Sequence, residues 1–355
     1  MKYKKILITG GAGFVGSNLG LNLKKHYPDV EIIALDNLVR SGSELNLSRL
    51  KEGGVKFIHG DVRNKEDLTF SDIDLLIECS AEPSVMAGIN SSPEYLLNTN
   101  LIGAINCFEL ARKTGAAVVF LSTSRIYPIE EINLLKFKET VTRFELLDQQ
   151  DYLGASAEGI AENFPLGKIR SLYGATKLCA EFLLQEYRAN YKIKAVINRF
   201  GIITGPWQMG KVDQGVIVLW MARHFFKMPL SYIGYGGKGK QVRDFVHVDD
   251  VFKAINLQMM DIYKFDGETF NIGGGREISV SLRELTGFCR EITGNKIPIN
   301  EEKEDRSGDI RIYISDTTKF HDVSGWKPQK NTRETLKDIF DWIKNNQKQL
   351  KKIFV

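Results

Sequence analysis

The chain has 355 residues and a mass of 40.1 kDa, a length that fits two lobes better than one minimal domain. Hydrophobic residues make up 43% and charged residues 26%, a balance typical of globular proteins that excludes a chain disordered throughout. The 48 basic and 44 acidic residues leave a formal charge of +4, which gives no reason to expect a nucleic-acid partner.

The cysteines, histidines and apolar runs indicate where the protein works. None of the four cysteines forms a C-x-x-C pair and the five histidines are scattered, so we expect reduced thiols and no metal site. The longest apolar runs are far shorter than the ~20 residues that span a bilayer, so we expect no membrane contact. Together these features predict a cytoplasmic protein.

Short apolar runs alternate with longer amphipathic stretches through the first two thirds of the chain. They predict strands at 5–9, 31–36, 55–59, 75–79, 117–122 and 195–200. They predict helices at 13–25, 95–113 and 172–190. Strands that alternate with helices indicate an α/β fold, a Rossmann doubly wound parallel sheet that binds its ligands at the carboxyl ends of the strands. Further on, a strand at 241–248 and helices at 280–293 and 332–348 predict a smaller C-terminal lobe.

A glycine-rich motif follows the first predicted strand and opens a helix. Its glycines, Gly10, Gly13 and Gly16, fit G-x-x-G-x-x-G, in which a tight turn lets the backbone approach a pyrophosphate at the helix N-terminus. Asp36 ends the next strand, 20 residues past Gly16, where a carboxylate would bond the adenosine ribose 2′-OH. This carboxylate would repel a 2′-phosphate and so favours NAD, although Arg40 lies close enough to keep NADP as an alternative.

The candidate catalytic side chains, with hydroxyl, phenol and ammonium groups, lie further along the chain. Tyr173 and Lys177 are four residues apart on a predicted helix and so share a face. The ammonium would stabilise the tyrosinate, so we expect Tyr173 to act as general base and Lys177 to hold the nicotinamide ribose. Ser122 and Thr123 end a strand at the same edge, where a hydroxyl can bond the substrate oxygen. The alternative is an N-cap cluster with a surface tyrosine and lysine.

These motifs resemble those of the extended short-chain dehydrogenase/reductases that act on nucleotide sugars, over nearly the whole chain to G-W-K-P at 325–328. Several stretches resemble the CDP-paratose 2-epimerase (CDP-tyvelose epimerase) branch more closely. They are D-N-L-V-R-S-G at 36–42, H-G-D-V-R-N at 59–64, V-D-Q-G at 212–215, G-K-Q-V-R-D at 239–244 and F-N-I-G-G at 270–274.

The resemblance implies roles for individual residues. It implies a catalytic triad of Thr123, Tyr173 and Lys177. It implies NAD contacts from Gly10, Gly13, Phe14, Val15, Gly16, Asp36, Asn37, Arg40, Asp61, Val62, Ser80, Ala81, Asn100, Ser122, Tyr173 and Lys177. It implies nucleotide-sugar contacts from Ser124, Asp213, Gln214, Arg243, Arg306 and Asp309. In this family arginines clamp the diphosphate and an R-x-x-D pair holds the nucleotide ribose, which suits guanidinium and carboxylate chemistry.

The residues after Thr123 bear on the reaction. Related 4,6-dehydratases usually place Asp-Glu there as acid and base, whereas this chain has Ser124 and Arg125. The resemblance therefore implies redox epimerisation at C2 of a CDP-hexose such as CDP-paratose or CDP-tyvelose, for cell-surface polysaccharide such as O-antigen. The alternatives are a UDP-hexose 4-epimerase, a 4,6-dehydratase and a non-catalytic NAD-binding regulator. The segment 148–171 is longer than a 4-epimerase usually carries and favours C2.

The motifs also predict how the chain divides and assembles. We expect an NAD-binding Rossmann domain at 1–200, to which 241–272 returns. We expect a nucleotide-sugar-binding lobe at 201–240 and 273–330, followed by a C-terminal helix at 331–355. The helices at 95–113 and 172–190 are expected to pair across a two-fold axis and form a homodimer.

Overall fold

The structure is a computed structural model, and it describes residues 2–89, 91–210, 214–306 and 308–355. The strands are β1 (Lys5–Thr9), β2 (Glu31–Asp36), β3 (Lys56–His59), β4 (Leu75–Glu78), β5 (Ala117–Thr123), β6 (Phe137–Glu139), β7 (Phe144–Leu146), β8 (Ala155–Ser156), β9 (Gly159–Ile160), β10 (Ala195–Phe200), β11 (Ile202–Thr204), β12 (Leu230–Ile233), β13 (Val242–His247), β14 (Thr269–Ile272), β15 (Ser279–Ser281), β16 (Ile299–Glu302) and β17 (Ile312–Tyr313). The helices are α1 (Phe14–His26), α2 (Asn46–Glu52), α3 (Glu94–Leu97), α4 (Gly103–Thr114), α5 (Ile129–Asn133), α6 (Leu172–Tyr191), α7 (Val216–Phe225), α8 (Val248–Met260), α9 (Ile262–Phe265), α10 (Leu282–Thr293), α11 (Thr318–Ser324), α12 (Thr332–Asn345) and α13 (Gln347–Phe354).

A seven-stranded sheet in the order β14-β10-β5-β4-β1-β2-β3 carries the fold. The pairings of β1 with β2 and β4, of β2 with β3, and of β4 with β5 are parallel, as expected for a Rossmann sheet. After β3 the chain crosses β1 to reach β4, so the order reverses between β1 and β4. In doubly wound sheets such a switch point is where the strand ends bind ligands.

The sheet is built from continuous apolar runs because helices cover its faces. Every residue of β4 and β5 is buried. On one face, Leu7, Leu76 and Val118 lie side by side on neighbouring strands, and Phe108 of α4 and Leu184 of α6 pack against them. This packing fixes α4 and α6 over the strands whose carboxyl ends carry the predicted site.

Most predicted elements agree with the structure to within two residues, and the differences have local causes. The predicted helix 95–113 contains a π-helical turn, Asn98–Ile102, between α3 and α4. The helix predicted at 280–293 begins at Leu282 because Ser281 caps it, accepting from the Glu284 N–H in a capping box. The helix predicted at 332–348 is interrupted at Asn346 and continues as α13.

The chain forms two compact units. The first comprises residues 1–126, 172–199 and 251–270, and the second comprises 127–171, 200–250 and 271–355. The structure thus places 127–171 and 241–250 in the second unit, whereas the sequence prediction assigned both segments to the dinucleotide-binding domain. Because residues 127–171 follow β5 after a single 3-10 turn, sequence position alone grouped them with the first unit.

The second unit is held by small sheets and a helix cluster. β13 pairs in parallel with β11 and β17 and antiparallel with β15, while β12 pairs with β16. The helices α7, α10 and α12 pack against one another. Among the described residues of the whole chain, no helix is long and apolar enough to span a membrane, and no cluster of metal-binding side chains occurs.

Candidate active site

The glycine-rich turn lies at the switch point, between the ends of β1 and β4. Gly10 has a φ of +62°, and a Cβ there would lie 2.9 Å from the carbonyl carbon of Cys79. A Cβ on Gly16 would lie 2.3 Å from the Gly10 carbonyl oxygen. Only glycine fits at positions 10 and 16, so no side chain covers the backbone of the turn at either position. That is the geometry of a turn on which a pyrophosphate can rest.

Helix α1 begins directly after this turn. Its N-cap is Gly13, which has no side chain to cap the first N–H groups, and Phe14 and Val15 form the first turn. Uncapped N–H groups and the positive end of the helix dipole suit an anionic phosphate. The turn and the start of α1 therefore fit a dinucleotide.

Asp36, at the end of β2, joins the turn to the neighbouring loop. Its carboxylate accepts hydrogen bonds from the backbone N–H of Ala12 (3.1 Å) and of Leu38 (2.8 Å). Burial raises the pKa of Asp36 against the opposing effect of these hydrogen bonds. Arg40 lies in the loop that follows, where its carbonyl accepts from the Ser43 N–H. The structure thus sets the predicted ribose carboxylate beside the predicted phosphate turn.

The ends of β2 and β3 are linked by side chains. Asn37 donates its amide to the Asp61 carboxylate at 2.9 Å, and Arg63 pairs with the same carboxylate at 2.6 Å. Burial opposes ionisation of Asp61, but the bonds from Arg63 and Asn37 outweigh it and lower its pKa to about 2. Val62 follows and is buried. Two residues predicted to contact the cofactor, Asn37 and Asp61, are therefore in direct contact.

Asn100 holds the loop that follows β4. Its Oδ1 accepts from the Glu82 N–H at 2.7 Å, and its Nδ2 donates to the Glu82 carbonyl and to Thr176 Oγ1. Ser80 and Ala81 stand at the start of this loop, next to the Gly10 turn. Asn100 thus ties the loop to α6, while its predicted cofactor contact stays a prediction.

Tyr173 and Lys177 lie on the first turns of α6, and both are buried. The Lys177 ammonium lies 4.1 Å from the centre of the Phe120 ring, which places α6 over β5. Lys177 Nζ also lies 3.3 Å from the Glu78 carboxylate at the end of β4. Thr123 ends β5, and Ser124 opens the short 3-10 turn after it. The structure thus brings the three predicted catalytic residues to neighbouring elements of one unit.

A buried ionic network lies one helical turn beyond Lys177. Ser122 donates its hydroxyl to Glu181, and the Arg199 guanidinium pairs with the same carboxylate at 2.8 Å. All three residues are buried. The network joins β5, α6 and β10, so the Ser122 hydroxyl has a protein partner at the position where a cofactor contact was predicted.

Two of the substrate-binding residues predicted in the second unit, Arg243 and Asp309, are in direct contact. Arg243 of β13 pairs with the Asp309 carboxylate at 2.8 Å and donates to the carbonyls of Val242 and Ile310. Arg306 contacts Asp309 through its carbonyl, which accepts the Asp309 N–H. Gln214 lies just before α7, and Asp213 lies outside the described residues.

Sequence reasoning missed Glu78, Glu181 and Arg199. A signal for Glu181 was present, since it continues the four-residue spacing of Tyr173 and Lys177 along one helix face. Glu78 had a weaker signal, an acid directly after the apolar run of β4. Its partner could not be found from the sequence, because the two residues are 99 positions apart.

Comparison with known proteins identifies the family of this site. The model of the NAD dependent epimerase/dehydratase family matches residues 6–273. The chain belongs to this family. It is therefore an enzyme that uses NAD, in agreement with the sequence prediction. When bound, NAD accepts and returns a hydride, and the residues that would hold it are those of the glycine turn, Asp36, Asn37, Asp61 and the end of β5.

Three relatives show the range of the family. The chain is 28% identical to the CDP-paratose 2-epimerase of Salmonella typhi, over 95% of this chain and 98% of that protein. It is 31% identical to a putative UDP-glucose 4-epimerase of Methanocaldococcus jannaschii, over 96% and 99%. A crystal structure of dTDP-glucose 4,6-dehydratase from Bacillus anthracis in complex with NAD superposes with a TM-score of 0.76 at 25% identity, over 98% and 99%.

Proposed function

We propose that the protein is a nucleotide-sugar epimerase that inverts a sugar carbon by transient oxidation. The observation that carries this proposal is the end of β5. Thr123 is followed by Ser124 and Arg125 in a 3-10 turn, and neither position offers a carboxylate. Elimination of water needs a general acid and a general base, which related dehydratases supply there. Oxidation and reduction of one carbon need only the proton transfer that Tyr173 can perform.

The roles of the side chains follow from their chemistry. Tyr173 removes the proton from the sugar hydroxyl and returns it later, while Thr123 bonds the same oxygen. The Lys177 ammonium stabilises the tyrosinate and holds the nicotinamide ribose. Burial of Tyr173 and Lys177 excludes water, which strengthens these interactions.

We propose C2 of a CDP-hexose, such as CDP-paratose or CDP-tyvelose, as the reacting carbon. The similarity to the Salmonella 2-epimerase and the D-Q-G and G-K-Q-V-R-D stretches support this choice. So does the long segment 148–171, which is anchored within the second unit. The backbone N–H of Ile160 donates to the Ile314 carbonyl, and the Ile160 carbonyl accepts from Asn271 Nδ2 at 2.7 Å.

The second candidate is a UDP-hexose 4-epimerase. The 31% identity to the Methanocaldococcus protein favours it, since this value exceeds the identity to the 2-epimerase. Both candidates use the same proton transfer at Tyr173, and they differ in the nucleotide and in the carbon presented to it. A direct substrate test therefore separates them.

We propose that the nucleoside diphosphate of the substrate is bound by Arg243, Arg306 and Asp309. Arg243 and Asp309 already pair, at 2.8 Å, and both side chains keep part of their surface exposed. A guanidinium suits phosphate oxygens and a carboxylate suits vicinal ribose hydroxyls. Binding would exchange their mutual ion pair for contacts with the ligand.

We also propose that the protein forms a homodimer through α6 and the α3–α4 stretch. Leu172, Cys179 and Phe182 follow one another at helical spacing on α6 and are exposed, Phe182 to 54%. Leu97 and Ile102 are exposed on the α3–α4 stretch. Apolar stripes of this kind on a water-soluble surface are commonly covered by another subunit.

The test offers the enzyme CDP-, UDP-, GDP- and dTDP-hexoses in D2O and follows the products by NMR. The proposal expects inversion at C2 of a CDP-sugar with no deuterium in the product, because the hydride returns to the carbon it left. Inversion at C4 of a UDP-sugar would support the second candidate. Deuterium beside a new ketone would show elimination and refute the epimerase.

The control variant is Tyr173→Phe. It removes the phenol oxygen and keeps the ring, so we expect turnover to fall by about 100-fold or more, the usual range for losing a general base. NAD binding, measured by calorimetry, should persist. Full turnover in Tyr173→Phe would refute the base role.

A further inference from the structure

Glu78 is a buried acid that the proposed chemistry does not use. It is the last residue of β4, after three apolar residues, and it is 1% exposed. Its carboxylate lies 3.3 Å from Lys177 Nζ, and Lys177 is 2% exposed. An ion pair sealed this completely is uncommon, because both charges lose their hydration.

The sheet register explains why Glu78 meets Lys177. Thr9 and Phe120 are the partners of Glu78 on the two adjacent strands, so the three side chains share one face of the sheet. Lys177 lies above that face, 4.1 Å from the centre of the Phe120 ring. Strand pairing and the docking of α6 therefore place the carboxylate below the ammonium, on the side of the sheet from which Tyr173 and Lys177 act.

The charges of the pair depend on each other. Burial raises the pKa of the Glu78 carboxyl, and the positive charge and hydrogen bond of Lys177 oppose that rise. Conversely, a buried ammonium without a carboxylate partner is destabilised strongly. The ring of Phe120 alone supplies a weaker attraction than a carboxylate at hydrogen-bond distance.

We propose that Glu78 is a positioning residue that anchors the Lys177 ammonium at the end of β4, ready for the nicotinamide ribose. The inference rests on the role proposed above for Lys177. Because Glu78 is buried, it acts through Lys177, at a strand end next to the glycine turn. Removing the Glu78 carboxylate therefore changes the affinity for the cofactor only while Lys177 is present.

The test measures NAD+ affinity by calorimetry on nucleotide-free protein, with no sugar added. It compares Glu78→Gln, Lys177→Met and the double variant. Glu78→Gln should weaken NAD+ binding about tenfold, as expected for displacing a charged hydrogen-bond donor. In the Lys177→Met background the same change should have no further effect. Because no sugar is present, failure of the epimerase proposal would leave this result unaffected.

Two further variants keep the test decisive. Glu78→Asp retains the charge but withdraws it by one methylene group, so it should weaken NAD+ binding about threefold. It serves as the test if Glu78→Gln does not fold. Asp266→Asn removes another ion-paired carboxylate of the same unit, bonded to Arg188, Lys194 and the first N–H of β10. It should lower stability without changing NAD+ affinity. Unchanged affinity in both Glu78 variants, or equal losses with and without Lys177, would overturn the proposal.

Discussion

The glycine turn offers a test in which two alanines on one helix give opposite results. Gly16 and Gly20 both lie on α1 and both are buried. A Cβ on Gly16 would lie 2.3 Å from the Gly10 carbonyl oxygen and 2.8 Å from Gly11 Cα. A Cβ on Gly20 would meet Ile8, Val55 and Ile32 at ordinary distances of 3.5 to 3.8 Å.

The magnitudes follow from these distances. Glycine to alanine inside a helix gains about 0.5–1 kcal/mol of stability through backbone entropy, and both variants share this gain. Gly16→Ala additionally forces the backbone of the turn away from α1, and overpacking of this kind costs about 1–3 kcal/mol. The unfolding free energies of the two variants should therefore differ by about 1–3 kcal/mol, with Gly20→Ala more stable than the wild type.

Urea denaturation measures the stability difference, and calorimetry with NAD+ measures its effect on the site. Gly16→Ala should also lose NAD+ affinity, because the turn predicted to receive the pyrophosphate has moved. Gly20→Ala should bind NAD+ as the wild type does. Equal stability and equal affinity in the two variants would refute the assignment of Gly16 to the close approach of α1 and the phosphate turn.

Three other predictions concern charge and surface. Complete burial raises the pKa of Asp244 to about 6 from 3.8, so the folded state holds this proton more tightly. The wild type should lose about 2 kcal/mol of unfolding free energy between pH 4 and pH 7 relative to Asp244→Asn, measured by urea denaturation. The same change of unfolding free energy in both proteins across that range would contradict it. Glu181→Gln leaves the buried Arg199 guanidinium without its carboxylate and should lower the unfolding free energy by about 3–5 kcal/mol, whereas a loss below 1 kcal/mol would show that water reaches the pair. Phe182→Glu puts a charge in the exposed stripe of α6 and should convert the proposed dimer to monomers, as measured by light scattering; an unchanged mass would exclude this face as the interface.

Much of the first unit could be predicted from local patterns. The strand bounds at 5–9, 31–36 and 195–200 agree with the structure. The first two belong to buried parallel strands, whose apolar runs have sharp ends. The glycine spacing indicated the phosphate turn, since only glycine permits its close contacts. The four-residue spacing of Tyr173 and Lys177 indicated a shared helix face.

The limits of prediction have equally specific causes. The π-helical turn within the predicted helix 95–113 could not be predicted from the sequence. A π-turn shifts the apolar periodicity of a helix by only one residue, which a helical pattern does not reveal. The segment 127–171 follows β5 without a linker, so nothing in its composition shows that it packs with the second unit. Asn100 was predicted from resemblance as a cofactor contact, and only the folded loop shows that its amide bonds the Glu82 backbone.

Local sequence patterns were enough to predict the alternation of strands and helices, the glycine turn before α1 and the shared helix face of Tyr173 and Lys177. Each of these depends on neighbours within a few residues, where backbone geometry fixes the relation. Tertiary structure alone decided the pairing of Glu78 with Lys177 and of Arg243 with Asp309, which are 99 and 66 positions apart. Such contacts depend on strand order and on how helices dock on the sheet, and no local pattern of residues encodes either.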